Sequence, residues 1–214
     1  MMTLDLIKQE KLIAIVRGLA QEQILPLAQA LYDGGVRVME ITYSMKESDT
    51  QTAEAIRLLC EHMGDRMCIG AGTVITPEQV ELTHRMGGKF IISPNTCIEV
   101  IKKTKELGLV SMPGAMTPTD VMIAHNAGAD IIKLFPVTNL GAAYVQAIKA
   151  PLSGIPFAAV GGVNLDNIAE YRKAGIYCFG IGSNIIDKKA LAAGDYAAIT
   201  ALAKQYTKAV HGNG

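Results

Sequence analysis

Short apolar segments rich in Val, Ile and Phe recur along the chain, and each is followed within two residues by Gly, Pro, Ser or Thr. The eight segments are 12–16, 36–41, 68–71, 90–92, 110–112, 131–135, 157–160 and 177–181. Each segment is too short for a helix, and its continuous apolar character is typical of a strand buried on both faces. The pattern therefore predicts eight strands of a parallel sheet.

Helical periodicity fills the intervals between these segments. In the first interval, apolar residues recur three or four positions apart, and this face ends at a pair of glycines. The residues concerned are Leu25, Ala28, Leu31 and Tyr32, followed by Gly34 and Gly35. A further helix is predicted over residues 3–10, before the first strand.

Helix-start signals mark three later intervals. A threonine before a proline predicts N-terminal caps at Thr76 and Thr117, and Thr96 with Glu99 has the spacing of a capping box. Strand and helix thus alternate eight times, which favours the α/β class: one (β/α)8 TIM-barrel domain over residues 1–214, with an extra N-terminal helix. An open doubly wound sheet is the alternative, because it also alternates strands and helices.

Polar residues occupy predicted inward positions of four strands. Inward side chains alternate along a barrel strand, and the chemistry of such barrels collects at the C-terminal ends of the strands. The predicted inward sets are Ile13, Ile15 and Arg17; Val38, Glu40 and Thr42; Ile69, Ala71 and Thr73; and Ile131, Lys133 and Phe135. One end of the barrel should therefore collect Arg, Glu, Thr and Lys side chains.

Lys133 stands in an apolar segment that contains no acidic residue. Desolvation and a nearby Arg17 would both lower the pKa of its amine and favour a neutral nucleophile that attacks ketones. An edge strand with the amine in solvent is the alternative. Glu40 is expected to transfer protons, or to form a salt bridge with Arg17 or Lys133. The guanidinium of Arg17 suits a carboxylate or a phosphate, or a structural ion pair.

Glycine-containing turns follow the seventh and eighth segments. Gly161-Gly162 and Gly182-Ser183 each lead toward a predicted helix. Such glycines can simply permit a tight bend. After the last two strands of a barrel, however, backbone amides and helix N-termini commonly bind phosphate. We therefore predict a phosphate site at these two turns.

Composition narrows the classes of function. The 20 basic and 20 acidic residues give no net charge, and the lysines form no basic stripe, so nucleic acid is not an expected partner. The four cysteines lack the spacing of a zinc site or a disulfide framework, which favours a reduced, cytoplasmic protein. No stretch approaches the roughly 20 apolar residues of a membrane span.

The motifs together resemble the 2-keto-3-deoxy-6-phosphogluconate and 4-hydroxy-2-oxoglutarate aldolases, a class I, Schiff-base family of (β/α)8 barrels. The segments that carry the resemblance are 15–17, 34–42, 70–74, 92–94, 112–114, 132–136, 161–163 and 182–183. They occur in the family's order and spacing, and they extend over nearly the whole chain.

The resemblance implies a role for each site residue. Lys133 would be the Schiff-base lysine and Glu40 the general acid and base. The implied substrate-binding residues are Arg17, Thr73, Pro94 and Phe135, and the implied phosphate-binding residues are Gly161, Gly162, Gly182 and Ser183. Neither a cofactor nor a metal is implied, because the iminium ion supplies the electrophile. Members of the family are typically homotrimers.

The implied substrates are small 2-keto acids. Cleavage of 2-keto-3-deoxy-6-phosphogluconate gives pyruvate and glyceraldehyde 3-phosphate, and cleavage of 4-hydroxy-2-oxoglutarate gives pyruvate and glyoxylate. Ser44 stands where many relatives carry an arginine, four positions after the glutamate. This departure favours two substrates more than the resemblance alone does: the 6-phosphogalactonate epimer and unphosphorylated 4-hydroxy-2-oxoglutarate. A phosphosugar isomerase or epimerase on the same barrel and a non-catalytic phosphate-binding module are the alternatives from other classes.

Overall fold

The computed structural model describes residues 2–46 and 48–212. The helices are α1 Thr3–Glu10, α2 Gln21–Asp33, α3 Asp49–Met63, α4 Pro77–Arg85, α5 Ile98–Glu106, α6 Pro118–Asn126, α7 Gly141–Lys149, α8 Ile168–Lys173, α9 Lys188–Ala193 and α10 Tyr196–His211, with a 3-10 helix at Val137–Asn139. The strands are β1 Leu12–Val16, β2 Val38–Thr42, β3 Cys68–Gly72, β4 Phe90–Ile92, β5 Val110–Met112, β6 Gly114–Ala115, β7 Ile132–Leu134, β8 Phe157–Val160 and β9 Cys178–Ile181. Within the described chain, no helix combines the length and the apolar character needed to cross a bilayer.

The strands form one parallel sheet in the order β5-β4-β3-β2-β1-β9-β8-β7-β6. β5 and β6 are two halves of one barrel strand that is interrupted at Pro113, which has no amide hydrogen to donate. Because β5 pairs with β4 and β6 pairs with β7, this interrupted strand closes the sheet into a barrel. The predicted (β/α)8 barrel is therefore confirmed, and the open-sheet alternative is wrong.

An apolar layer fills the amino-terminal half of the barrel interior. Its members include the first inward residue of several strands, among them Ile13, Val38, Ile131 and Cys178. Ile7 of α1 belongs to the same cluster and is fully buried. The extra helix predicted over residues 3–10 is thus confirmed, and it covers the amino-terminal end of the barrel.

The predicted alternation is wrong in β3. Ile69 and Ala71 pack in the outer layer between the strands and the helices, not in the interior. The inward positions are Gly70 and Gly72, because a Cβ atom built on them would collide with Phe90 and with Glu40. Glycine carries no side chain, so hydrophobic alternation could not reveal these inward positions. Thr73 follows with φ of 56°, in the left-handed region that β-branched residues rarely adopt.

Two of the three predicted helix starts are confirmed. Thr76 accepts a hydrogen bond from the backbone amide of Gln79, and Thr117 forms a capping box with Asp120. The predicted capping box at Thr96 is wrong, because α5 starts one residue later and the hydroxyl of Thr96 donates to the Gly114 carbonyl at 2.8 Å. This contact ties the loop after β4 to the interrupted barrel strand.

Candidate active site

Lys133 lies at the centre of β7, and only 6% of it is exposed. Its register partners are Gly114 on β6 and Ala158 on β8, and these small residues leave room for a long side chain inside the barrel. The Nζ atom lies 4.6 Å from the centroid of the Phe135 ring. The alternative of an edge strand is therefore wrong, because β7 is flanked by strands on both sides.

The surroundings of Lys133 favour its neutral amine. Burial lowers the pKa of the amine below its usual value, because apolar surroundings disfavour the ammonium form. The Glu40 carboxylate acts in the opposite direction, and Arg17 lowers the pKa further. Among the described residues, Lys133 forms no ion pair with an N–O distance of 4.0 Å or less. These observations agree with the neutral nucleophile expected from the sequence.

Glu40 lies on β2 inside the barrel and is 1% exposed. Burial raises the pKa of its carboxyl group, and the positive charges of Lys133 and Arg17 partly offset this effect. Within the described chain, its Oε2 atom is buried without a hydrogen-bond partner, and no salt bridge with Lys133 or Arg17 forms. A buried, unpartnered carboxylate oxygen is costly, so this atom is available to a ligand or a proton.

Thr42 is a second buried polar residue that lacks a partner. It follows Glu40 by two positions on β2, is 4% exposed, and its Oγ1 atom has no hydrogen-bond partner among the described residues. The sequence pattern placed Thr42 in the inward set but gave it no role. Its hydroxyl is available to a ligand at the carboxyl end of the strand.

Gly72 makes the space that Glu40 occupies. A Cβ atom built on Gly72 would lie 1.4 Å from Oε1 of Glu40, so Gly72→Ala must displace the carboxylate. We expect this variant to lose about 1–3 kcal/mol of unfolding free energy, as overpacked cores do. Urea denaturation measures the loss. Gly154→Ala is the matched control, because its Cβ would meet no atom within 4 Å. Equal urea midpoints for the two variants would contradict the packing described for Gly72.

A cavity of about 770 Å³ opens at the carboxyl ends of β1, β8 and β9. It brings together six of the residues predicted from the sequence. These are Arg17, Phe135, Gly161, Gly162, Gly182 and Ser183. Phe135 lines this cavity and its ring lies near the Lys133 amine, so this one side chain links the cavity wall to the buried lysine.

Three polar side chains donate hydrogen bonds to the carbonyl groups of the turn over residues 161–163. The Thr138 hydroxyl donates to the Gly161 carbonyl, Nδ2 of Asn167 donates to Gly162 at 3.0 Å, and Nδ2 of Asn184 donates to Val163 at 2.8 Å. Carbonyl and amide groups of one trans peptide point in opposite directions. Within the described chain, the amides of Gly162 and Val163 donate no hydrogen bond, so they are available to an anion.

Sequence reasoning missed Thr138, Asn167 and Asn184. Their partners in the turn lie 23, 5 and 21 residues away along the chain. Only Asn167 gave a local signal, since asparagine is common near helix starts. The other two contacts depend on the barrel bringing separate loops together.

Four predicted site residues are not among the residues that line the main cavity: Lys133, Glu40, Thr73 and Pro94. Thr73 lines a separate pocket of about 290 Å³ together with Ser44, the residue at the position where many relatives have arginine. Pro94 packs its carbonyl against Gly114, where a Cβ atom would lie 2.2 Å from the Pro94 oxygen. The substrate-binding roles of Thr73 and Pro94 stay predictions.

Comparison with known proteins places this geometry in a family. The family model described as KDPG and KHG aldolase matches residues 4–202. The chain belongs to the KDPG and KHG aldolase family. The resemblance drawn from the motifs is confirmed, and so, at the level of the family, is the prediction of an aldolase, a carbon–carbon lyase.

Individual members of the KDPG and KHG aldolase family match over most of their length. The chain is 38% identical to the 2-dehydro-3-deoxy-6-phosphogalactonate aldolase of Escherichia coli strain K12, over 81% of this chain and 83% of the relative. It is 37% identical to the 2-dehydro-3-deoxy-phosphogluconate aldolase of Dickeya dadantii, over 86% of this chain and 84% of that relative. A solved structure also matches: KDPG aldolase from Legionella pneumophila with pyruvate captured as a covalent carbinolamine. The TM-score is 0.83 and the sequence identity is 28%, over 94% of this chain and 96% of that chain.

Proposed function

We propose that the protein is a class I aldolase that cleaves 2-keto-3-deoxy-6-phosphogluconate to pyruvate and glyceraldehyde 3-phosphate. The observation that carries this proposal is the buried amine of Lys133, whose pKa is lowered, together with the buried Glu40 carboxyl group, whose Oε2 atom has no hydrogen-bond partner among the described residues. A buried amine and a carboxyl group close enough to act on it electrostatically are what Schiff-base chemistry requires. The covalent pyruvate carbinolamine of the Legionella pneumophila relative supports the same reading.

The first half of the reaction forms the electrophile. The lone pair of Lys133 Nζ attacks the C2 carbonyl carbon, and the carbonyl oxygen takes up a proton to give a carbinolamine. Loss of this hydroxyl group as water gives an iminium ion. Since Glu40 is the buried carboxyl group beside Lys133, it is the group that moves these protons.

The second half breaks the carbon–carbon bond. Glu40, directly or through one water, removes the proton of the C4 hydroxyl group. The C3–C4 bonding electrons then flow into the iminium ion, and C4 leaves as the aldehyde of glyceraldehyde 3-phosphate. Protonation of the remaining enamine at C3 and hydrolysis of the imine release pyruvate and regenerate the Lys133 amine.

Arg17 and the glycine turns would fix the two ends of the substrate. The guanidinium of Arg17 lies at the cavity and suits the carboxylate end or a neighbouring oxyanion. The turns at Gly161, Gly162, Gly182 and Ser183 suit the phosphate, since the amides of Gly162 and Val163 donate no hydrogen bond to any described residue. In this proposal Phe135 lines the pocket beside Lys133.

The galactonate epimer is the second candidate substrate. Ser44 and the similarity to the Escherichia coli 2-dehydro-3-deoxy-6-phosphogalactonate aldolase favour it. Cleavage of 4-hydroxy-2-oxoglutarate to pyruvate and glyoxylate would use the same residues. Pyruvate release from a panel of these acids ranks the substrates. An isomerase or epimerase would release no pyruvate from any of them.

Borohydride reduction in the presence of pyruvate tests the Schiff base. We expect a stable adduct at Lys133, located by peptide mapping. Lys149 is the matched internal control, because burial also lowers its pKa, while it lies on the outer helix α7 and its Nζ donates to the Gly175 carbonyl at 2.6 Å. An unmodified Lys133, or equal labelling of the two lysines, would contradict the proposal.

A cytoplasmic homotrimer is the proposed form of the protein. Cys60, Cys68, Cys97 and Cys178 are free thiols, which suits a reducing compartment. Exposed apolar side chains on α5, on α6 and just before α6 suit a subunit interface. They are Ile98, Met116, Met122 and Ile123. Light scattering should give three times the mass of one chain; a monomer mass would contradict the trimer.

A further inference from the structure

The main cavity carries two cationic side chains and no acidic one among its described lining residues. Arg17 follows β1, and Lys188 is the first residue of α9. Within the described chain, neither side chain takes part in an ion pair. Two uncompensated positive charges around one cavity favour an occupant that is negative at two places.

The two cations serve different parts of the cavity. Arg17 acts electrostatically on both Glu40 and Lys133, so it lies beside the reacting end. Lys188 comes five residues after Ser183, in the same loop-and-helix segment that follows β9. Lys188 therefore stands on the side of the cavity that carries the Gly182-Ser183 turn.

The neighbouring acidic residue is engaged elsewhere. Oδ1 of Asp187 accepts hydrogen bonds from the backbone amides of Lys189 and Ala190 at 2.7 and 3.1 Å. These backbone hydrogen bonds lower the pKa of Asp187 and hold it as a carboxylate that caps α9. Asp187 therefore does not pair with the ammonium group of Lys188, which is available to an anion in the cavity.

We propose that Lys188 is a specificity-determining residue whose ammonium binds the terminal phosphate and so favours phosphorylated over unphosphorylated 2-keto-3-deoxy sugar acids. This inference rests on the proposed function. A lysine binds phosphate as a mobile point charge, which complements the fixed amides of Gly162 and Val163. The amides orient the phosphate oxygens, and Lys188 supplies the positive charge that the turn lacks.

Lys188→Gln is the test. Lys189→Gln is the matched control, because Lys189 is also exposed but is not among the residues that line the cavity. For the phosphorylated sugar acid, we expect Lys188→Gln to raise KM about 5- to 30-fold with kcat nearly unchanged, as for loss of one charge-assisted hydrogen bond. For the same acid without phosphate, kcat/KM should stay at the wild-type value. Lys188→Arg should restore much of the loss.

An equal loss on both substrates, or an equal effect of Lys189→Gln, would overturn the proposal. Borohydride trapping of pyruvate at Lys133 in Lys188→Gln separates this inference from the proposed function, because trapping should remain at the wild-type level. If the wild-type protein cleaves neither acid, calorimetric binding of glyceraldehyde 3-phosphate still tests Lys188. Equal affinity of wild type and Lys188→Gln in that titration would overturn the proposal, and a 5- to 30-fold weaker affinity would support it.

Discussion

Lys133→Met is expected to lower kcat/KM for pyruvate release by about 10⁴-fold or more. Methionine is close to lysine in shape but has no nitrogen, so neither carbinolamine nor iminium ion can form. Because Lys133 is 6% exposed and lies near the Phe135 ring, the thioether should pack in its place. A coupled assay of pyruvate release measures the loss, and circular dichroism on heating shows that the variant is folded.

Lys149→Met is the control for this substitution. Lys149 is half-buried and has a lowered pKa, like Lys133, but it lies on the outer helix α7 and not on a barrel strand. Its replacement should leave turnover within about twofold of wild type, as expected for a site remote from the chemistry. Turnover by folded Lys133→Met within tenfold of wild type would remove the Schiff base from the mechanism.

Glu40→Gln is expected to reduce turnover by about two to four orders of magnitude, because the amide cannot accept the C4 hydroxyl proton. The variant keeps the shape of the side chain, so borohydride should still trap pyruvate on Lys133. Exchange of the pyruvate methyl protons in D₂O should be lost, since this exchange requires proton transfer at C3 of the enamine. Nuclear magnetic resonance measures the exchange directly.

The same variant should shift the pH dependence of trapping. The Glu40 carboxylate raises the pKa of Lys133 relative to burial alone, so its removal lowers that pKa further. Trapping with cyanoborohydride should therefore persist to lower pH in Glu40→Gln than in wild type. Glu61→Gln is the control, because Glu61 is an exposed partner of Arg57 on α3. Near-normal turnover, or a shift of trapping to higher pH, would contradict the role given to Glu40.

The strand pattern of the barrel could be predicted from the sequence because buried parallel strands are continuously apolar. Ile13, Val38 and Ile131 also showed the correct inward register, since large side chains mark it. In β3 the inward residues are Gly70 and Gly72, and an absent side chain leaves no mark in a hydrophobic pattern. The helix start at Thr96 was wrong because a contact with distant Gly114 uses its hydroxyl group.

The positions of Lys133 and Glu40 inside the barrel could be predicted because a charged residue inside an apolar strand is conspicuous. The supporting contacts could not, because they join separate loops. The side-chain amide of Asn184 donates to Val163, which lies 21 residues earlier in the chain. Lys188 and Arg17 are far apart in the sequence, and the folded barrel brings both to the lining of one cavity. Such pairings depend on the three-dimensional closure of the barrel, which no local pattern encodes.

The left-handed backbone at Thr73 has a consequence for laboratory evolution. A β-branched residue with φ of 56° costs on the order of 1–3 kcal/mol, and glycine at this position would relieve it. A selection for heat resistance alone should therefore replace Thr73 early. A selection that also requires aldolase turnover would retain Thr73 only if its hydroxyl group binds the substrate. Whether the Thr73 codon changes under the two selections therefore tests that binding role.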